Sequence, residues 1–305
     1  MSFNLQQDKP GMKPEKTYGA LSLGVVSISF AAIFIKLADG PAASVAALRL
    51  LFATLILLPF VLFSRGTRKA LLSLQRKERG LLVLSGIFLA LHFFSWIASF
   101  SFTGITSSIV FVTTSPIFVE LYAVVVKRER TSGRVWTGIA LALAGGVILG
   151  GGNILSGGES WKGDLLAVGG AIAVAGYFIV GSRLRPRLPL LAYIFPVYGT
   201  AALLLAVTAL ISGSGLTGHP SRIYFYCFLM ALVCQVTGHS LFNWALRKIK
   251  TTQVAMATLG EPVGTTILAW LILRVTPVPS EIIGGVIILA GVFVVLTGGS
   301  AGLRE

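Results

Sequence analysis

Acidic residues are scarce in this chain. Asp and Glu total 11 against 25 Lys and Arg, and all charged residues together make up only 12% of its 305 positions. Soluble domains carry about twice that charged fraction, so a water-soluble globule is excluded. Cysteine is nearly absent: Cys227 and Cys234 lie seven apart in one apolar run. On a helix that spacing separates them by about 10 Å, beyond disulfide reach, so both read as packing residues. The sequence has no CxxC, no HExxH and no other metal-ligand spacing. Gly150-Gly151-Gly152 is no phosphate loop, because no Lys-Ser/Thr follows it and no strand precedes it. No metal and no cofactor is expected.

What the chain does have is apolar length. Hydrophobic residues make up 55% of it and mean hydropathy is +0.86. Ten runs stand out, near 17–37, 44–63, 80–101, 105–126, 132–150, 162–182, 190–211, 222–246, 251–273 and 280–298. Most approach the ~20 residues that cross about 30 Å of hydrocarbon as a helix. The expected fold is an all-α polytopic membrane protein. Connections are short, and 64–79 is the longest polar one. The polar start, 1–16, reads as a tail rather than a signal peptide, and 299–305 reads as a second tail.

Charge placement orients these spans. With the N-terminus inside, the inner segments hold 20 Lys and Arg and the outer ones only Lys162, Arg222 and Arg274. This positive-inside bias predicts that both termini are cytoplasmic. It also accounts for the net charge of +14 as topology, which excludes nucleic acid as a partner and leaves attraction to anionic lipid headgroups as a by-product.

The chain also repeats itself. A shift of 146 carries Pro116 onto Pro262, Gly138 onto Gly284 and Gly145 onto Gly291; near the start a shift of 144 carries Gly19 onto Gly163 and Phe34 onto Phe178. The expected units are 17–150 and 162–298, five spans each. An odd number of spans forces the second unit to insert upside down. The loops agree, since neutral 101–104 matches basic 247–250. Inverted repeats predict a site near mid-membrane where the halves meet, and alternating access to it.

Pro116 and Pro262 fall near the centres of spans 4 and 9, where each removes a backbone hydrogen bond and is expected to act as a hinge. Beside Pro262 stands Glu261. An intramembrane carboxylate is costly, and is a functional candidate on that ground. It is read either as a proton site or as a hydrogen-bonded part of the broken helix, and Ser115 at the equivalent position shows that the repeat does not require a charge there.

Ten spans in two inverted halves, with Thr114-Ser115-Pro116 in the fourth and Gly260-Glu261-Pro262 in the ninth, resemble the drug/metabolite transporter superfamily, and each half resembles its EamA-type repeat. Ala47-Leu48-Arg49-Leu50, Lys127-Arg128-Glu129-Arg130 and the glycines Gly138, Gly145, Gly284 and Gly291 carry the rest of the likeness. One departure is that the glutamate following spans 4 and 9 is present as Glu129 but replaced by Val275. The resemblance implies a central cavity lined by spans 1, 3, 4, 6, 8 and 9, with spans 5 and 10 peripheral. Within the superfamily the chain is most similar to bacterial exporters of aromatic amino acids, located in the inner membrane.

Polar residues cluster on those spans. Span 3 aligns Ser85, His92, Trp96 and Ser99 on one face, and span 8 aligns Gln235, His239 and Asn243. Ser27, Phe30 and Phe34 come from span 1, Phe111, Thr114 and Ser115 from span 4, and Tyr177 from span 6. Together with Glu261 they form the expected substrate cavity, with aromatic walls and a few hydrogen-bonding groups. The competing reading is that the polar members glue helices together and the rings pack. Arg49 reads as a snorkelling or carbonyl-capping residue, with substrate carboxylate as the lesser alternative. Lys36 and Asp39 read as an interfacial pair. Glu120, a second intramembrane acid, has no assigned role.

The expectation is therefore a gradient-driven exporter of small amphipathic metabolites, aromatic and other apolar amino acids foremost, working in the lipid bilayer as a monomer. Export of cationic drugs coupled to protons is the alternative. A membrane-embedded enzyme would need a nucleophile–base pair or metal ligands at one depth, and neither His92 nor His239 has a carboxylate beside it in sequence.

Overall fold

A computed structural model of the chain describes residues 14–154 and 160–298, and all regular structure within them is helical. The two expected tails fall almost wholly outside the described residues. Span 1 is α1 (Pro14–Ala38), span 2 is α2 (Ala42–Phe63) and span 3 is α4 (Arg76–Ser99), with a short α3 (Arg65–Leu72) between the last two. Span 4 is split into α5 (Ile105–Val112) and α6 (Ser115–Val125), and span 5 is α7 (Gly133–Ile154). The second half repeats this with α8 (Ser160–Leu184), α9 (Leu190–Ile211), a span 8 made of α10 (Ser221–Leu229), a π-helical stretch (Met230–His239) and α11 (Ser240–Ala245), a span 9 split into α12 (Thr251–Thr258) and α13 (Glu261–Leu273), and α14 (Pro279–Gly298). Among the described residues nine helical segments are long and apolar enough to cross a membrane, and α7 adds a shorter apolar stretch, Gly133–Leu149.

The outer surface of the bundle is apolar. Phe63, Leu203, Ile211, Val286 and Phe293 are all more than half exposed, as suits side chains that face lipid rather than water. The inner surface is one large core of spans 1–4 and 6–9, while α7 and α14 share a second, smaller core with the broken helices beside them.

The prolines do more than kink their helices. Each sits at the start of a new half-helix, where a missing N–H costs nothing. The two breaks share one backbone bond. Thr114 donates its N–H to the Phe111 carbonyl at 3.2 Å, and Gly260 donates to Ala257 at 3.0 Å. Both spans also end alike, on a left-handed residue, Arg128 (φ 57°) in one half and Arg274 (φ 58°) in the other. The next N–H, of Glu129 or Val275, returns to Ala123 or Ala269. A backbone bond makes this turn, so valine serves at 275 where the family pattern has glutamate.

The tightest packing is α7 against α14. A Cβ on Gly145 would stand 2.7 Å from the Gly284 carbonyl oxygen, and one on Gly291 would stand 2.6 Å from that of Gly138. Gly138 matches Gly284 and Gly145 matches Gly291 in the repeat, so these two contacts exchange under a two-fold rotation. That is the signature of an inverted pair packed on its own symmetry axis.

Three sequence expectations change. The stretch 64–79 is not a plain loop, because Ser64 caps α3 by accepting from the Thr67 N–H. Lys36 and Asp39 are not partners; Asp39 pairs with Arg222 at 2.8 Å across the halves. Span 8 is not a uniform α-helix, and its π-helical stretch is seen in Thr237 and Ser240 hydroxyls reaching carbonyls five residues back.

Candidate functional site

A small cavity lies where the halves meet. Its wall includes Ala31 of α1, Arg49 of α2, His92 and Trp96 of α4, Ser115 at the span 4 break, Phe178 of α8, His239 and Phe242 of span 8, and Glu261 at the span 9 break. Its free volume is about 30 Å³, room for a water but not for a metabolite. One turn further along α1 and α13, a crevice of about 200 Å³ begins, lined by Ala32, Lys36, Thr106, Pro262, Thr266 and Glu281 among others. The crevice leads to the end of the bundle that carries few charges.

The opposite, basic end is closed. Thr252 at the start of α12 donates to Glu120 Oε2 at 2.5 Å, and Thr131 donates to Oε1 of the same carboxylate. Glu120 therefore ties α6 to the other half, which is the role the sequence left open. Arg183 donates to the Tyr122 hydroxyl in the same layer. Nearby, Arg185 is buried against the Asn243 and Leu188 carbonyls. Burial and the neighbouring Arg247 pull its guanidinium down to about 10, so it stays charged at neutral pH.

Arg49 is the residue the sequence reading placed wrongly. It does not snorkel to an interface but is fully buried. Its Nε donates to Gln235 Oε1 at 3.2 Å and its guanidinium carbon lies 4.0 Å from the centre of the Phe93 ring. Nη1 and Nη2 have no partner among the described residues. An arginine in an apolar run was the available signal, on the same cost argument that singled out Glu261. Glu261 is also buried. Its described bonding is confined to its backbone carbonyl, 3.5 Å from the Ser29 hydroxyl.

His92 Nδ1 lies 2.9 Å from the Gly170 carbonyl oxygen. A carbonyl only accepts, so Nδ1 carries the proton. Its ring stacks on Trp96, at 6.0 Å between centroids and 12° between planes, and His239 sits 6.3 Å from it. Trp96 Nε1, Ser115 Oγ and His239 Nδ1 have no hydrogen-bond partner among the described residues.

Of the residues expected to form a cavity, His92, Trp96, Ser115, His239 and Glu261 are brought together. The others are not part of this wall. Ser27, Ser99 and Thr114 bond carbonyls of their own helices, at Leu23, Trp96 and Phe111, a local satisfaction open to any hydroxyl in a helix. Phe30 stacks on Phe34, which stacks in turn on Tyr226. Phe111 packs against the main core. Asn243 donates to the Tyr177 hydroxyl at 2.5 Å and so ties α8 to span 8, while Gln235 holds Arg49. Pro262 lines the crevice, and Pro116 is buried at the opposite break. The sequence reading missed Phe178 and Phe242 as wall residues; Phe178 had a signal, its match to Phe34 in the repeat.

A lipid-facing helical bundle, built from two inverted halves and closed around a buried polar cavity, has the architecture of a polytopic membrane transporter. The chain matches the EamA-like transporter family twice, over residues 16–151 and 161–297, and belongs to it. It is 29% identical to an uncharacterized transporter of Archaeoglobus fulgidus over 287 residues, which cover 91% of this chain and 96% of that one. A solved crystal structure superposes with a TM-score of 0.76 at 15% identity, over 96% of this chain and all of the other, a likeness of fold.

Proposed function

We propose that this transporter exports small amphipathic metabolites, apolar and aromatic amino acids foremost, across a bacterial inner membrane with both termini cytoplasmic. The observation that carries this reading is the cavity wall: stacked and tilted rings of His92, Trp96 and His239 beside polar groups that have no partner of their own. Rings suit an apolar body, and unpartnered groups suit a polar end. The Glu120 tie closes one end while the crevice reaches toward the cavity from the other, which fits one state of an alternating-access cycle. Purified protein in proteoliposomes should move labelled phenylalanine and threonine faster than empty vesicles do. Equal rates would remove the amino acid reading. Export of cationic drugs draws support from the buried Glu261, but Arg49 in the same small cavity repels a lone cation. A drug exporter would lose the resistance it confers when Glu261→Gln is made.

A further inference from the structure

The cavity contains one buried guanidinium and one buried acid, and no ion pair between them is found among the described residues. Arg49 is 0% exposed and Glu261 7%. Both line the same wall. Both guanidinium Nη atoms are without a partner among the described residues, and the hydrogen bond described at Glu261 is to its backbone carbonyl. Buried charges ordinarily pair with each other or with fixed dipoles, because an unpaired one is costly in a low-dielectric interior. Here Gln235 and the Phe93 ring fix Arg49 through Nε and one face, and leave its two-pronged end free. A guanidinium presented that way is shaped for a carboxylate. The Glu261 carboxyl group, lining the same cavity, is suited to an ammonium.

We infer that Arg49 and Glu261 form a zwitterion site, in which Arg49 takes the carboxylate and Glu261 the ammonium of one ligand. This rests on the amino acid reading above and names the groups that would recognise the backbone common to that class. Arg49 belongs to the first half and Glu261 to the second, so one ligand spans both halves. Trp96, Phe178 and Phe242 are left to receive its side chain. At about 30 Å³ the cavity is contracted, and a ligand enters only as the α1–α13 wall moves apart.

The test uses the full-length protein in detergent and reads binding of three probes that share one ring: phenylalanine, phenethylamine, which lacks the carboxylate, and phenylpropionate, which lacks the ammonium. The wild-type protein should bind both truncated probes about 100-fold or more weaker, as expected when a buried charged group is left unmatched. Arg49→Gln should bring phenethylamine level with phenylalanine, and Glu261→Gln should do the same for phenylpropionate. Arg49→Lys, which keeps the charge, should retain part of the preference for phenylalanine. The wild-type series needs no variant to fold. Phenylalanine binding with no discrimination among the three probes overturns the zwitterion site and leaves the amino acid reading standing. No binding of phenylalanine overturns both.

Discussion

Glu120 and Thr252 hold the basic end of the bundle together at 2.5 Å, while Thr266 and Thr106 line a crevice of about 200 Å³ at the other end. These are the same two places in the repeat. A shift of 146 carries Glu120 onto Thr266 and Thr106 onto Thr252. The breaks beside them share one backbone bond, and the left-handed residues that end both spans match in φ within a degree. The backbone is thus duplicated while the acids are not. In span 4 the acid sits beyond the break, where it reaches the other half. In span 9 it sits at the break itself, in the cavity. A duplicated frame with unlike side chains can close one end while the other stands open.

The largest effect that would test this division is at the two break positions. Glu261→Gln should lower phenylalanine flux by about 100-fold or more, and Ser115→Ala by no more than a few-fold. Full, pH-independent flux in Glu261→Gln would reduce that glutamate to a structural part of the break. Next come the glycines on the symmetry axis. Gly145→Val and its repeat partner Gly291→Val each force a side chain against the opposing backbone, at 2.7 and 2.6 Å. Each should cost about 1–3 kcal/mol, read as a lowered Tm in detergent, and the two losses should be similar. A large loss for one and none for the other would break the symmetry argument.

The tie at the basic end is worth less. Glu120→Gln together with Thr252→Val should make that end roughly tenfold easier to open. The readout is the rate at which a membrane-impermeant thiol reagent modifies a cysteine placed at Ala123, and Cys227 and Cys234, both buried, should add little background. An unchanged rate would remove Glu120 as a closure. The smallest effect belongs to the other tie between the halves. Asp39 and Arg222 are both more than half exposed, so Asp39→Asn should shift stability by roughly 0–1 kcal/mol.

Much of the frame could be read from residues alone. Span number, the two breaks and the glycine pairing all follow from apolar length and from identities that recur at a fixed shift. The cavity wall was less legible. Ser99 and Trp96 share a helix face in sequence, yet Ser99 turns back to a carbonyl while Trp96 leaves its N–H free in the cavity. Arg49 was visible as an arginine in an apolar run, but its neighbours were not: Gln235 and Phe93 lie on other helices, and their hold on it appears only when the helices pack.

By itself, then, the sequence determined a lipid-bathed bundle of two inverted halves broken at two prolines, because hydrocarbon admits few ways to satisfy a backbone and a duplication preserves the positions that matter. The tertiary structure decided which polar side chains bond their own helix and which stand free in the cavity, where the π-helical stretch falls, and which of two equivalent ends is closed. Those outcomes depend on distances of a few ångströms between helices far apart in the chain, and helices that are apolar on nearly every side carry no periodic signal to encode them.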